Sequence, residues 1–206
     1  IGIVDNASVL IEDGVFKWVG KMAGFKQKLK KDADTLDAST YVALPGFVDA
    51  HTHLVFAGGS DNEFAMRAEG KTYQQIAEQG GGILTTVKAT RAATKKELKK
   101  LASRRLDSMM QHGTTTVEIK SGYGLDENSE TKILEAINEL GNEHPMSIVS
   151  TFLGAHAVPP EFKGKPDDYV QLICERMLPY ISRKKLAFFC DVFCDKGYFT
   201  VEQTRR

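Results

Sequence analysis

Hydrophobic and polar positions follow two different rhythms along this chain, and the change falls near Pro45. Before it, "SVLIE" and "VFKWVG" are short β-type runs on either side of Asp13-Gly14, a dipeptide suited to both central positions of a tight hairpin turn. Residues 1–44 therefore read as strands, part of a small β-sandwich domain. After Pro45, short apolar runs alternate with helical patterns, the sequence form of repeated βα units on a parallel sheet.

Four runs read as strands: "GFVDAH" (46 to 51), "TTTVEIK" (114 to 120), "SIVSTFLGAH" (147 to 156) and "LAFFCDVFCD" (186 to 195). Between them, Thr94 to Glu97 forms a capping box, and Leu98, Leu101, Ala102, Met109 and Met110 keep one apolar face after it. Ile133, Leu134, Ile137 and Leu140 mark a second helix; Val170, Ile173, Cys174, Met177, Leu178 and Ile181 mark a third. Gln75 and Ile76 sit in a shorter helix that stops at Gly80-Gly81-Gly82. The fold class is α/β, either a complete open sheet or the first half of a TIM-like (β/α)8 barrel over residues 45–206. A full barrel takes about 250 residues, more than follow Leu44, so the barrel reading implies an incomplete barrel. The ending "TVEQTRR", which reads as a helix just begun, supports it.

Composition narrows the partners. Lys and Arg number 27 and Asp and Glu 27, a balance that argues against nucleic acid or an anionic membrane as the main ligand. No window approaches the roughly 18 apolar residues of a membrane span. Cys174, Cys190 and Cys194 form no paired framework, and "IGIVDNASVL" lacks the features of a secretory signal, which points to a reducing, cytoplasmic setting.

The chemistry is sought at strand ends, where parallel-sheet enzymes build their sites. Side chains two apart on a strand point the same way, so His51 and His53 can turn toward one metal ion. Two imidazoles suit Zn2+ or Fe, yet a catalytic metal takes about three protein ligands, so the pair is half a site. The alternative is two strand-end histidines bonded to backbone; Asp49, the apolar lead and "VFAGG" favour the metal. The second strand ends in Glu118 and Lys120, the lysine being either carbamylated between two metals or paired with a carboxylate. Tyr123 follows between two glycines, placed either to meet a ligand or to pack the loop, and His156 ends the third strand as ligand, acid or base, hydrogen-bond donor or structural histidine. His112 reads as a helix C-cap and His144 as solvated. The triple glycine lacks a following Gly-Lys-Ser/Thr and is no phosphate loop; Cys190 and Cys194 read as core; "KATRAATKKELKK" reads as a solvated helix face.

The opening "ALPGFVDAHTHLVFAGG" resembles the amidohydrolase superfamily of metal-dependent hydrolases. With "EFAMRAEGKTYQQIAEQGGGILTTVKATRAAT", "GTTTVEIKSGYGL" and "STFLGAHAVPPEF", the chain from about Leu44 onward resembles the imidazolonepropionase family in particular. That resemblance implies one Zn2+ or Fe3+ per complete site, with His51 and His53 as metal ligands, and makes carbamylation of Lys120 unnecessary. It implies substrate-binding positions at Tyr123 and His156, the latter also catalytic. The implied substrate is 4-imidazolone-5-propanoate, opened to N-formimidoyl-L-glutamate in histidine degradation, and the implied assembly is a homodimer. Ser60 stands where the family carries a substrate-holding arginine, with Arg67 one candidate to replace it. The family's third histidine, a catalytic glutamate and an aspartate ligand come from later strands than these, so the chain alone is expected to be nearly inactive. Two other readings remain: another cyclic-amide hydrolase or deaminase of the same superfamily, and a non-catalytic metal-binding α/β module.

Overall fold

A computed structural model describes residues 2–26, 32–59, 66–71 and 82–206. The chain divides into two units, Ile1–Pro45 and Gly46–Arg206.

In the first unit, strands β1 (Ala7–Glu12) and β2 (Val15–Lys21) pair antiparallel. Asp13 (φ 52°) and Gly14 (φ 72°) both take the left-handed conformation that a primed two-residue turn demands. Trp18 packs edge-on against Phe25 and lies over Gly20, where a Cβ would come within 2.9 Å of the indole ring. Among the described residues the remainder of this unit is one short 3-10 turn, Met22–Gly24, and irregular chain, less strand than the sequence suggests.

The second unit is built on a parallel sheet in the order β3 (Phe47–Thr52), β4 (Thr114–Lys120), β5 (Ser147–Ala155), β6 (Phe189–Val192). All three pairings are parallel. Crossovers run through helices α1 (Ile83–Ala92) and α2 (Lys95–Gln111) after β3, α3 (Glu127–Glu143) after β4, and α4 (Pro166–Leu172) with α5 (Leu178–Lys184) after β5. A last helix, α6 (Val201–Arg205), follows β6. The π turn Ile173–Met177 joins α4 to α5 just before Pro179, whose missing N–H cannot join the ladder. Mixed α/β architecture with a four-stranded parallel sheet is thus established.

Helix α2 starts as expected: Thr94 accepts from the Glu97 N–H while the Glu97 carboxylate accepts from the Thr94 N–H. It buries Leu98, Ala102 and Leu106, whereas Met110, expected on the same face, is 40% exposed. Ile133, Leu134, Ile137 and Leu140 of α3 are all buried, and with Val117, Ile119 and Phe152 of the sheet they form the core between the layers. Each such side chain contributes about 1.5–3 kcal/mol by leaving water. Gly82 (φ 84°) caps the start of α1, a conformation only glycine adopts freely. The proposed helix at Gln75 and Ile76 lies outside the described residues, as do Gly80 and Gly81.

Two further expectations are corrected. Cys190 and Cys194 are exposed and not core, because β6 is an outer strand of the described sheet and Cys194 falls beyond it. The His144 side chain is only 7% exposed, with Nε2 3.2 Å from an Asp107 carboxylate oxygen and Nδ1 accepting from the Met146 N–H, so it is a structural link and not solvated. His112 does cap α2, with Nδ1 2.7 Å from the Ser108 carbonyl. No helix among the described residues is long and apolar enough to cross a membrane.

Candidate active site at the strand rim

Parallel strands end at one edge, and the residues at those ends are brought together here by register rather than by sequence. Thr52 pairs with Ile119, Lys120 with Thr151, and Ala155 with Val192. His51 and His53 close β3, Tyr123 follows β4, and His156 follows β5. The ring centroids of His51 and His53 are 5.6 Å apart; His53 stacks on His156 at 4.8 Å and lies 4.9 Å from Tyr123. Tyr123 and His156 are 5.4 Å apart, with Phe56 and Phe193 edge-on at the flanks. Four of the five sequence-predicted site residues therefore share one cluster. Ser60 lies outside the described residues, and Arg67 is exposed on a helical segment.

Burial keeps two of the cluster's histidines, His53 and His156, neutral. Burial, then repulsion from His156 and His51, pushes the His53 pKa down to about 3. Burial likewise lowers that of His156, against the opposing pull of the Gly122 carbonyl. His156 Nδ1 lies 2.9 Å from that carbonyl oxygen, which can only accept, so Nδ1 carries the proton and Nε2 presents a lone pair when the ring is neutral.

Beside this cluster, Lys120 Nζ donates to Glu118 (2.7 Å) and Asp191 (3.0 Å), and the Thr151 hydroxyl donates to Glu118. Burial alone would lower the lysine pKa, but the two carboxylates outweigh it and hold the ammonium above its ordinary value. Asp191, raised by burial, is in turn held below the usual carboxylate range by Lys120. Lys120 is therefore paired with carboxylates, the second of the two roles open to it in sequence.

Two residues that sequence reasoning passed over shape the loops. Arg105 of α2 donates through Nη1 to the carbonyls of Leu54 (2.6 Å) and Phe56 (2.9 Å), and its guanidinium lies 3.7 Å from the Phe56 ring centroid. Glu130 of α3 accepts N–H groups from the loop that carries Tyr123. A signal for Glu130 was present: it sits at i relative to Ile133, Leu134 and Ile137, a carboxylate on an apolar helix face.

His53 Nδ1 is buried without a hydrogen-bond partner, and His51 stands exposed beside it. Two imidazoles at one strand end fit as two of the ligands that zinc or iron takes. No cluster of three or more His, Cys, Asp or Glu positioned to hold a metal occurs among the described residues.

The fold and rim define a parallel α/β protein with three histidines and a tyrosine gathered at the C-terminal ends of its strands. No family model matches the chain. It is 47% identical over 208 residues to the imidazolonepropionase of Shouchella clausii, covering all of this chain and 46% of that protein. Against the imidazolonepropionases of Clostridium tetani and Brevibacillus brevis identity is 46% and 49%, again over all of this chain and 49% of each relative. Throughout its length the chain is thus similar to imidazolonepropionases, and it spans about half the length of the curated relatives it matches.

Proposed function

We propose that the full-length protein hydrolyses the cyclic amide C–N bond of 4-imidazolone-5-propanoate to N-formimidoyl-L-glutamate with one Zn2+ or Fe3+ per complete site, and that this chain supplies the first half of its (β/α)8 barrel. The observation that carries the proposal is the convergence of His51, His53, Tyr123 and His156 at one sheet edge, in a chain similar throughout to imidazolonepropionases.

His51 and His53 would hold the metal, which when bound acidifies a water and polarises a carbonyl. Burial keeps the His53 lone pair available at neutral pH, because a protonated imidazole cannot ligate. Tyr123, 4.9 Å from His53, offers a ring face and a hydroxyl to orient a flat heterocycle. His156, with Nδ1–H committed to Gly122, first accepts through Nε2 from a substrate N–H or a water. Once it has taken that proton, the same nitrogen donates, and it can then support charge developing on the ring oxygen. The Lys120 ammonium, fixed between Glu118 and Asp191, opposes protonation of the nearby His53.

The test is turnover of 4-imidazolone-5-propanoate by the full-length protein, beside hydantoin, dihydroorotate and guanine. Preferential opening of the imidazolone is expected. Hydrolysis of another ring with no turnover of the imidazolone would overturn the substrate assignment.

A further inference from the structure

Glu130 is a fully buried carboxylate that the proposed chemistry does not use. It stands one turn into α3, on the face that Ile133, Leu134 and Ile137 bury in the core. An unpaired carboxylate there would be costly, and its partners are all donors. Oε1 accepts from the N–H groups of Gly124 (2.7 Å), Leu125 (2.9 Å) and Gly122 (3.2 Å), and Oε2 accepts from Gly122 (3.0 Å). The Ser121 hydroxyl also bonds it, while accepting from the Leu153 N–H of β5.

The loop is bent to make this ring of donors. Gly122 (φ 108°) and Leu125 (φ 54°) both take positive φ, and a Cβ on Gly124 would come within 2.6 Å of the Glu130 nitrogen. Successive N–H groups turned into one concavity form an anion-binding nest. Here the protein's own carboxylate fills it. Tyr123 is carried between the two glycines so fixed, and the Gly122 carbonyl, on the same peptide chain segment, sets the proton on His156 Nδ1.

We infer that Glu130 is the positioning residue of the rim: by filling the nest from Gly122 to Leu125 it places Tyr123 and orients the His156 ring. This rests on reading the rim as a hydrolase site, and it adds to that reading a residue that touches neither substrate nor metal. A purely structural carboxylate would stabilise α3 without acting through Tyr123 and His156, which is the distinction to test.

In the full-length protein, Glu130→Gln keeps the shape but turns an amide N–H2 toward a set of donors. It is expected to lower kcat/KM on the order of 100-fold, the cost of misplacing binding groups by about an ångström. In a Tyr123→Ala, His156→Ala background the same change should cost less than about threefold, because residues acting as one unit are not additive. An equal loss in both backgrounds, or no loss in either, would overturn the inference. Two readouts need no turnover and so separate this inference from the substrate assignment. In the unsubstituted protein the Gly122, Gly124 and Leu125 amides should exchange as slowly as those of Val117 and Ile119, and His156 should show its proton on Nδ1 by nitrogen NMR. Glu130→Gln should release both signatures. Rapid exchange of these amides in the unsubstituted protein would sink the inference even if the variant failed to fold.

Discussion

Two loops leave neighbouring strands of the parallel sheet, and charges of opposite sign hold them. After β3 the carbonyls of Leu54 and Phe56 turn inward and meet the Arg105 guanidinium; after β4 the N–H groups of Gly122, Gly124 and Leu125 turn inward and meet the Glu130 carboxylate. Backbone conformation decides the sign. Positive φ at Gly122 and Leu125 points donors into the protein, and only an acceptor can satisfy several at once. The loop after β3 exposes acceptors instead, which suits the forked donors of arginine. The two clamps come from adjacent helices, α2 and α3, which are themselves laced together by Lys95 and Lys99 with Glu135, Glu139 and Glu143.

The largest effect that tests this contrast should come from the side chains the loops present. Replacing His53 by alanine should remove metal binding and, if Lewis-acid help worth several kcal/mol goes with it, lower kcat/KM by roughly a thousandfold at about 1.36 kcal/mol per tenfold; unchanged metal content by elemental analysis would refute the ligand role. Next, Arg105→Met frees two buried carbonyls behind that histidine. Zn2+ affinity measured by calorimetry should fall about 10–100-fold, as for other supports of metal ligands, while amide exchange at Gly122 and Gly124 stays slow. Equal disturbance of both loops would break the comparison.

A smaller effect is expected at Lys120→Met, which leaves Glu118 and Asp191 without their shared cation. Urea unfolding at neutral pH should show a loss of about 1–3 kcal/mol, moderated because the Asp191 side chain is 47% exposed. A gain in stability would show that the lysine is retained for something other than pairing. The smallest effect belongs to the helix ladder. Lys95 and Lys99 pull the exposed Glu139 down to about 2, below the ordinary 4.5, so its contribution is present above about 4.5 and fades as pH falls through about 2. Glu139→Gln should therefore shift the thermal midpoint only slightly at pH 7, less so in high salt, with the shift shrinking further as pH falls below the ordinary 4.5 toward about 2. A salt-independent loss would mean that the ladder does more than pair exposed charges.

Local chemistry made much of this fold legible. Strand β4 runs over the very residues that its alternation marks, because Val117 and Ile119 face the helix layer while Thr116, Glu118 and Lys120 face away. The Asp13-Gly14 turn and the Thr94 capping box are likewise written within a few residues. The outer strand β6 is shorter than its apolar run, since its pairing with β5 is irregular and Cys194 makes only an isolated bridge to Phe199. His51, His53, Tyr123 and His156 could be named because strand ends announce themselves. Arg105 could not, since its partners lie 49 and 51 residues away and nothing local marks a guanidinium that will cover two carbonyls. Glu130 was readable in principle, as a charge on a buried stripe, and was hidden by the habit of assigning helix carboxylates to solvent.

The outer strands of the described sheet carry a consequence for how the protein behaves in a tube. Phe47 and Val48 of β3 are 56% and 67% exposed, and Phe188 and Phe189 at β6 are 77% and 62% exposed. Two outer strands of the described sheet thus present exposed apolar side chains, the kind of edge on which an extended chain can pair. For the 206-residue chain handled alone, colloidal behaviour should therefore be governed by β3 and β6 more than by its balanced net charge.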